Sequence, residues 1–202
     1  GSHIDALAKL GIVIEGDETA HTYRVEKQAI PSDTHREIIM YEASDTGVEN
    51  VLMAAAKVPG LTTIKFASAN YMVQDLCVFL RHCGVKIDGI GTATLTVHGL
   101  SEINQEVHGH PSEDPIESMF FVSLAATTHS EITITRCPVD FLELELFTLG
   151  HMGLQYEWGE SYASENGHTI LRDITVKPSD LHAPPEKIAP RPYPGINIDN
   201  LP

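Results

Sequence analysis

The sequence predicts an α/β fold made of repeated β-α-β-α-β-β units, and three observations predict it. One phrase recurs at intervals of about seventy residues: Leu10-Gly11-Ile12-Val13-Ile14-Glu15-Gly16, Cys83-Gly84-Val85-Lys86-Ile87-Asp88-Gly89 and Met152-Gly153-Leu154-Gln155-Tyr156-Glu157-Trp158-Gly159. Each copy follows a helix-like stretch and precedes a strand-like one, so its first glycine reads as a helix stop with positive φ. Upstream of the second and third copies the similarity continues into two compact apolar segments, Glu49-Asn50-Val51-Leu52-Met53-Ala54-Ala55-Ala56 and Glu117-Ser118-Met119-Phe120-Phe121-Val122-Ser123-Leu124-Ala125-Ala126.

In chain order, residues 3–26 supply a helix, the glycine and a strand, which is the second half of a unit. The complete unit, 37–100, opens with a strand at Ile38-Ile39-Met40 and continues with the Ala-, Leu- and Met-rich helix at 49–56. That helix carries almost no charge over its turns and is expected to be covered on most of its surface, in the middle of a layer. Leu61-Thr62-Thr63-Ile64-Lys65-Phe66 alternates at period two, as a half-buried strand does. A second helix over 73–81 places Val73, Leu76, Cys77 and Leu80 at helical spacing and stops at the repeated glycine. The strands at 85–88 and 93–97, joined through Gly89-Ile90-Gly91, close the unit as a hairpin.

The nearly complete unit, 106–176, repeats this order with an apolar helix at 117–126, a strand at Glu131-Ile132-Thr133-Ile134-Thr135-Arg136 and a helix over 141–149. A Pro-rich end follows. An array that begins and stops inside its repeats leaves sheet edges and helix faces uncovered, so a homo-oligomer, dimeric or higher, is expected.

With 202 residues, 42% of them hydrophobic, the chain can bury one ordinary core or two small ones. No apolar run is long enough to cross a membrane. Cys77, Cys83 and Cys137 are odd in number and sit in helix or strand-end contexts, which suits a reducing, cytoplasmic setting better than a disulfide framework. A net charge of −15 argues against nucleic acid or an anionic membrane as partner. Gly1-Ser2 reads as a cloning scar and is set aside.

Within residues 44–84, Glu49-Asn50-Val51-Leu52-Met53-Ala54-Ala55, Thr62-Thr63-Ile64, Asp75, Phe79-Leu80 and Gly84-Val85-Lys86-Ile87 together resemble the enolpyruvyl transferases. The nearest likeness is to the branch acting on UDP-N-acetylglucosamine, which starts peptidoglycan synthesis for the cell wall. Asp114-Pro115-Ile116-Glu117-Ser118 looks like that family's Asp-Arg-Ile-Glu-Thr, and Pro192-Tyr193-Pro194-Gly195-Ile196-Asn197-Ile198-Asp199 looks like its Pro-Tyr-Pro-Gly-Phe-Pro-Thr-Asp. The resemblance implies an inside-out α/β barrel: two domains of three units each, helices inside and sheets outside, with substrates in the cleft between them. On that template residues 1–100 end one domain and 101–202 begin the second, with a hinge near Gly99-Leu100-Ser101. The implied reaction moves the enolpyruvyl group of phosphoenolpyruvate to the 3-hydroxyl of UDP-N-acetylglucosamine, with no cofactor. The sister branch acting on shikimate 3-phosphate and a non-catalytic, self-associating repeat domain remain as alternatives.

The same resemblance names site residues. Asp199 matches the family's aspartate that contacts the attacking sugar hydroxyl and is a candidate general base; the alternative is a solvated loop residue. Glu42, Ala43, Ser44, Asp45 and Thr46, before the first apolar helix, match the loop around the UDP portion, where a helix start suits an anion. Glu42 stands where relatives often have lysine, and N-capping by Asp45 or Thr46 is the competing reading. Asp114 and Glu117 match acidic positions at the next helix start, where carboxylates also favour the helix dipole, and Pro115 replaces the family's arginine. His108-Gly109-His110 has no carboxylate or cysteine at ligand spacing and reads as a loop rather than a metal site. Enolpyruvyl transfer joins two anionic substrates, yet the chain has 13 Lys plus Arg against 28 Asp plus Glu. This chain alone is therefore expected to lack the full active site.

Overall fold

The computed structural model describes residues 2–32 and 34–200; Gly1, read above as part of a scar, lies outside them. The chain divides into two compact units, residues 1–108 and 109–202.

The first unit opens with helix α1 (Ser2–Ala8) and an antiparallel hairpin of β1 (Ile12–Asp17) and β2 (Thr22–Lys27). It continues through β3 (His35–Ile39), α2 (Asp45–Ala56), β4 (Gly60–Lys65), α3 (Tyr71–His82), β5 (Lys86–Asp88) and β6 (Thr94–Gly99), which is the β-α-β-α-β-β order. The four strands form one sheet in the order β3-β4-β6-β5, with β3 and β4 parallel and the other pairs antiparallel. Register places Ile38 beside Ile64 and Ile64 beside Leu95, so one face of the sheet is continuous and apolar. The opposite face carries the Lys65–Glu37 ion pair at 2.6 Å and the His35–Thr63 hydrogen bond at 2.9 Å.

The helices cover the apolar face. In α2 the buried residues Val48, Val51, Leu52, Ala55 and Ala56 follow the 3.6-residue period, and in α3 Val73, Cys77 and Leu80 do the same. Together with Ile38, Ile64, Leu95 and Val97 they make one core.

The second unit holds α4 (Pro115–Thr127), β7 (Ile132–Pro138), a 3₁₀ turn (Val139–Phe141), α5 (Glu143–His151), β8 (Tyr156–Ala163) and β9 (Ile170–Val176). Its sheet has the order β7-β9-β8 with both pairs antiparallel. The unit lacks the leading parallel strand: residues 102–114 are polar, show no period-two alternation and form no regular element. Met119, Val122, Leu142, Leu146, Ile174 and Val176 lie in its core. Arg136, expected as the last strand residue, instead has φ +61 within a register shift of β7. Its N–H bonds to Tyr162 Oη and to Asp173 Oδ1, each at 3.0 Å, in place of the ladder.

The repeated glycine ends α3 and α5 in the same way. Gly84 and Gly153 have φ +90 and +107. Val85 N–H reaches Leu80 O at 3.0 Å while Gly84 N–H reaches Arg81 O, and Leu154 and Gly153 make the equivalent bonds to Leu149 and Gly150. Each pair is a Schellman cap, which satisfies carbonyls that a helix end leaves open.

Coverage of the apolar helices departs from expectation. Only one stripe of α4 is buried; Phe120 and Leu124 on its other side are 56% and 43% exposed. The composition of α4 is apolar all round, but within this chain its packing partners reach a single face. All three cysteines are buried and free. Burial pushes the Cys77 thiol up to about 12 and Cys137 up to about 11, so neither is a poised nucleophile.

Candidate functional site

Residues 42–46 form the turn entering α2. Glu42 and Thr46 are exposed, while Ala43, Ser44 and Asp45 are half-buried. Ser44 is the N-cap: its backbone is extended and its Oγ accepts from Gly47 N–H at 3.3 Å. The competing expectation of capping by Asp45 or Thr46 is corrected here, because both are already within the helix and Ser44 occupies the position whose side chain faces the open N–H groups. Asp45 turns instead toward the start of α3. One carboxylate oxygen accepts from Ser68 Oγ, the other from Asn70 Nδ2 at 2.8 Å, and Asn70 Oδ1 caps α3 through Tyr71 N–H at 2.9 Å. The two helix starts are thereby tied together, and Ser44 and Thr46 are left as the hydroxyls of this turn.

Asp114 is the N-cap of α4, its Oδ1 accepting from Ile116 N–H at 2.8 Å. Pro115 occupies the first helical turn, where its missing N–H costs nothing, and Glu117 lies in the same turn. The structural role of Asp114 is therefore explicit.

Asp199 sits on the exposed side of a 3₁₀ turn, Ile198–Asn200, that packs against α4. The loop before it is closed by Gly195 N–H to Pro192 O and Arg191 N–H to Ile196 O, both at 2.8 Å. Tyr193 lies against Phe141 with ring centroids 5.1 Å apart. Burial raises the Tyr193 phenol above its usual range, and the charges of Asp140, Glu143 and Glu145 add to that shift. Asn197 Oδ1 accepts from Asp199 N–H at 3.2 Å. The loop is thus held at the aromatic end and at the aspartate end.

Sequence reasoning missed Glu145. It lies on the buried stripe of α5, 7% exposed, and its Oε1 accepts from Asn197 N–H at 3.2 Å and from Asn200 Nδ2 at 3.0 Å. A signal was present: Glu145 falls on the same helical face as Leu142, Leu146 and Leu149, where an unpartnered carboxyl would be costly.

Between α4, α5 and the segment after β9 lies a cavity of about 540 Å³, lined mainly by apolar side chains such as Leu124, Leu149 and Ile196, with Glu145 and Asn200 among its polar members. It offers no cation to an anionic ligand. His108 faces Glu106 at 3.3 Å and His110 faces Glu165 at 3.8 Å, both pairs exposed. Among the described residues no three His, Cys, Asp or Glu side chains gather as a metal site would require.

The profile of the EPSP synthase (3-phosphoshikimate 1-carboxyvinyltransferase) family matches residues 1–196. Among curated relatives, the UDP-N-acetylglucosamine 1-carboxyvinyltransferase of Bacteroides thetaiotaomicron is 29% identical over 99% of this chain and 44% of its own length. That of Treponema denticola is 32% identical over 98% of this chain and 44% of its own. Of solved structures, the enolpyruvyl transferase NikO from Streptomyces tendae superposes with TM-score 0.72 at 18% identity, over 98% of this chain and 46% of that one. EPSP synthase from Acinetobacter baumannii gives TM-score 0.63 at 16% identity, over 91% and 41%. These two likenesses concern the fold. The chain spans less than half the length of the relatives it matches. It belongs to the EPSP synthase family of enolpyruvyl (1-carboxyvinyl) transferases.

Proposed function

We propose that this chain is part of a transferase that moves the enolpyruvyl group of phosphoenolpyruvate to the 3-hydroxyl of UDP-N-acetylglucosamine, the first committed step of peptidoglycan synthesis. The observation that carries this reading is the name borne by relatives about 30% identical over 98–99% of the chain. It is favoured over the shikimate branch, whose name the family profile bears over a similar span, because the individual curated relatives carry the nucleotide-sugar name.

In this reading Asp199 receives the proton of the attacking sugar hydroxyl as that oxygen bonds to the enolpyruvyl carbon and the methylene carbon beside it takes up a proton; phosphate then leaves as a proton is lost from the new methyl group, which re-forms the double bond. The exposure of Asp199 and its fixed turn suit it to accept the hydroxyl proton. Glu42, Ala43, Ser44, Asp45 and Thr46 border the nucleotide sugar, with Ser44 and Thr46 offering hydroxyls, Asp45 shaping the turn and Asp114 holding the start of α4. Residues 1–100 end one domain and 101–202 begin the second, and the protein acts in the cytoplasm; among the described residues no helix is long and apolar enough to cross a membrane. A second reading, self-association through helix faces, is favoured by Phe120 and Phe147, which are 56% and 61% exposed.

Calorimetric titration of the chain with UDP-N-acetylglucosamine tests the first reading. Binding at millimolar affinity or tighter, lost in Ser44→Ala or Asp199→Ala, is the expected result. If neither substitution changes the heat of binding, the site assignment fails.

A further inference from the structure

We propose that Glu145 is a positioning residue for Asp199, acting through the two asparagines that flank it. The inference rests on the reading of Asp199 given above.

Both hydrogen bonds made by Glu145 run to one turn. Oε1 receives Asn197 N–H at 3.2 Å and Asn200 Nδ2 at 3.0 Å, across 52 and 55 residues of chain. Asn197 in turn receives Asp199 N–H on its own side chain at 3.2 Å, and Asn200 N–H bonds to Asn197 O at 3.1 Å. Asp199 is therefore bracketed by two residues that share a single buried acceptor, while its own side chain remains exposed. Asn200 is 5% exposed and Glu145 7%, so the contact is largely withdrawn from bulk water at the wall of the cavity.

The placement is specific. Leu142 and Leu146, the neighbours of Glu145 on the same helical face, are fully buried, and an apolar residue at 145 would fit the stripe. A carboxyl there loses hydration, and the two hydrogen bonds from the turn compensate for it. Tyr193 packs against Phe141, just before α5, with the rings tilted, so the same stretch of chain fixes both ends of the loop. What Glu145 contributes beyond packing is a fixed direction for the Asp199 backbone, and hence for its carboxylate.

The test measures affinity for UDP-N-acetylglucosamine by calorimetry in a double-mutant cycle, together with amide hydrogen exchange of the ligand-free chain. Glu145→Ala is expected to weaken binding about tenfold, the scale of one or two lost hydrogen bonds. Glu145→Gln keeps the acceptor and is expected to restore most of the affinity. In an Asp199→Ala background Glu145→Ala is expected to add nothing. Should Glu145→Ala fail to fold, Asn200→Ala removes one of the two bonds and replaces it in the cycle. An equal loss in both backgrounds, or a loss with Glu145→Gln as large as with Ala, overturns the proposal, because a general structural effect would behave that way. If wild type gives no binding, or Asp199→Ala changes nothing, the reading of Asp199 falls instead. Exchange then decides the anchor separately: faster exchange at Asn197 and Asp199 in Glu145→Ala, with β7–β9 unchanged, sustains it, and equal exchange overturns it.

Discussion

The repeated glycine offers a graded test, because the same substitution in two copies of one phrase meets different surroundings. Gly84 and Gly153 both have positive φ, +90 and +107, so Ala at either costs about 1–2 kcal/mol in backbone strain. A Cβ at 84 would lie 2.6 Å from Gln105 Nε2, the far end of a flexible side chain that can swing away. A Cβ at 153 would lie 2.8 Å from Asp180 O, which is backbone, and His182 N–H to Met152 O at 2.8 Å holds that segment close. Overpacking against an atom that cannot yield adds about 1–3 kcal/mol. The reduced freedom of the unfolded chain returns about 0.4–1 kcal/mol in both cases. The net expectation is roughly 1 kcal/mol for Gly84→Ala and roughly 3 kcal/mol for Gly153→Ala. Trp158, the one tryptophan, lies on β8 with the Arg172 guanidinium 5.7 Å from its ring centre, so its fluorescence reports the second unit. With a urea slope of about 2 kcal/mol per molar, Gly153→Ala lowers that midpoint by about 1.5 M. Gly84→Ala, followed by far-ultraviolet circular dichroism, lowers the first unit's midpoint by about 0.5 M. A Gly153→Ala midpoint equal to wild type, or a larger loss for Gly84→Ala, would refute the reasoning.

Two further outcomes follow from the same surfaces. Burial, and secondarily the charge of Asp45, raise the Glu49 carboxyl above 4.5, so its contribution favours the fold below that pH and is lost as pH rises through the folded value. Glu49→Gln should therefore raise the melting temperature at pH 7.5 and give a smaller gain at pH 4; an equal gain at both would contradict the assignment. Light scattering of the purified chain is expected to show a dimer or larger species, with Phe120→Ser/Phe147→Ser shifting it toward monomer, and a clean monomer of wild type would remove the self-association reading.

Much of the first unit was legible because its signals are local. The stripe Val48, Val51, Leu52, Ala55, Ala56 and the alternation around Ile64 each state their own period, and Gly84 marks the helix end without reference to anything distant. Where the sequence misled, the deciding contact lay elsewhere in the chain. Arg136 leaves the β7 ladder because Tyr162 and Asp173 accept its N–H, and no pattern within 131–136 announces that. Asp45 reads as a cap by position, yet Ser68 and Asn70 claim its carboxylate from a loop beyond β4. Glu145 is the same case at the candidate site. Its helix could be read, but its partners stand more than fifty residues further on.

The charge balance acquires a structural meaning once five of the thirteen Lys and Arg are located. Arg36 is committed to the carbonyls of Pro31 and Pro59, Arg136 to Glu113, Lys65 to Glu37, and Lys177 to Glu131 and Glu157. Arg172 lies over the Trp158 ring. These side chains secure loops and sheet faces, and drawing one away to a phosphate would forfeit a contact that shapes the fold. A net charge of −15 adds long-range repulsion toward any phosphate-bearing ligand. Lys187 and Arg191, exposed in the segment before the Asp199 turn, are not among those five. On the function proposed above, orientation of the sugar hydroxyl by Asp199 is this chain's contribution, and the anchoring of that aspartate by Glu145 is the step that the double-mutant cycle isolates, whatever the overall count of charges.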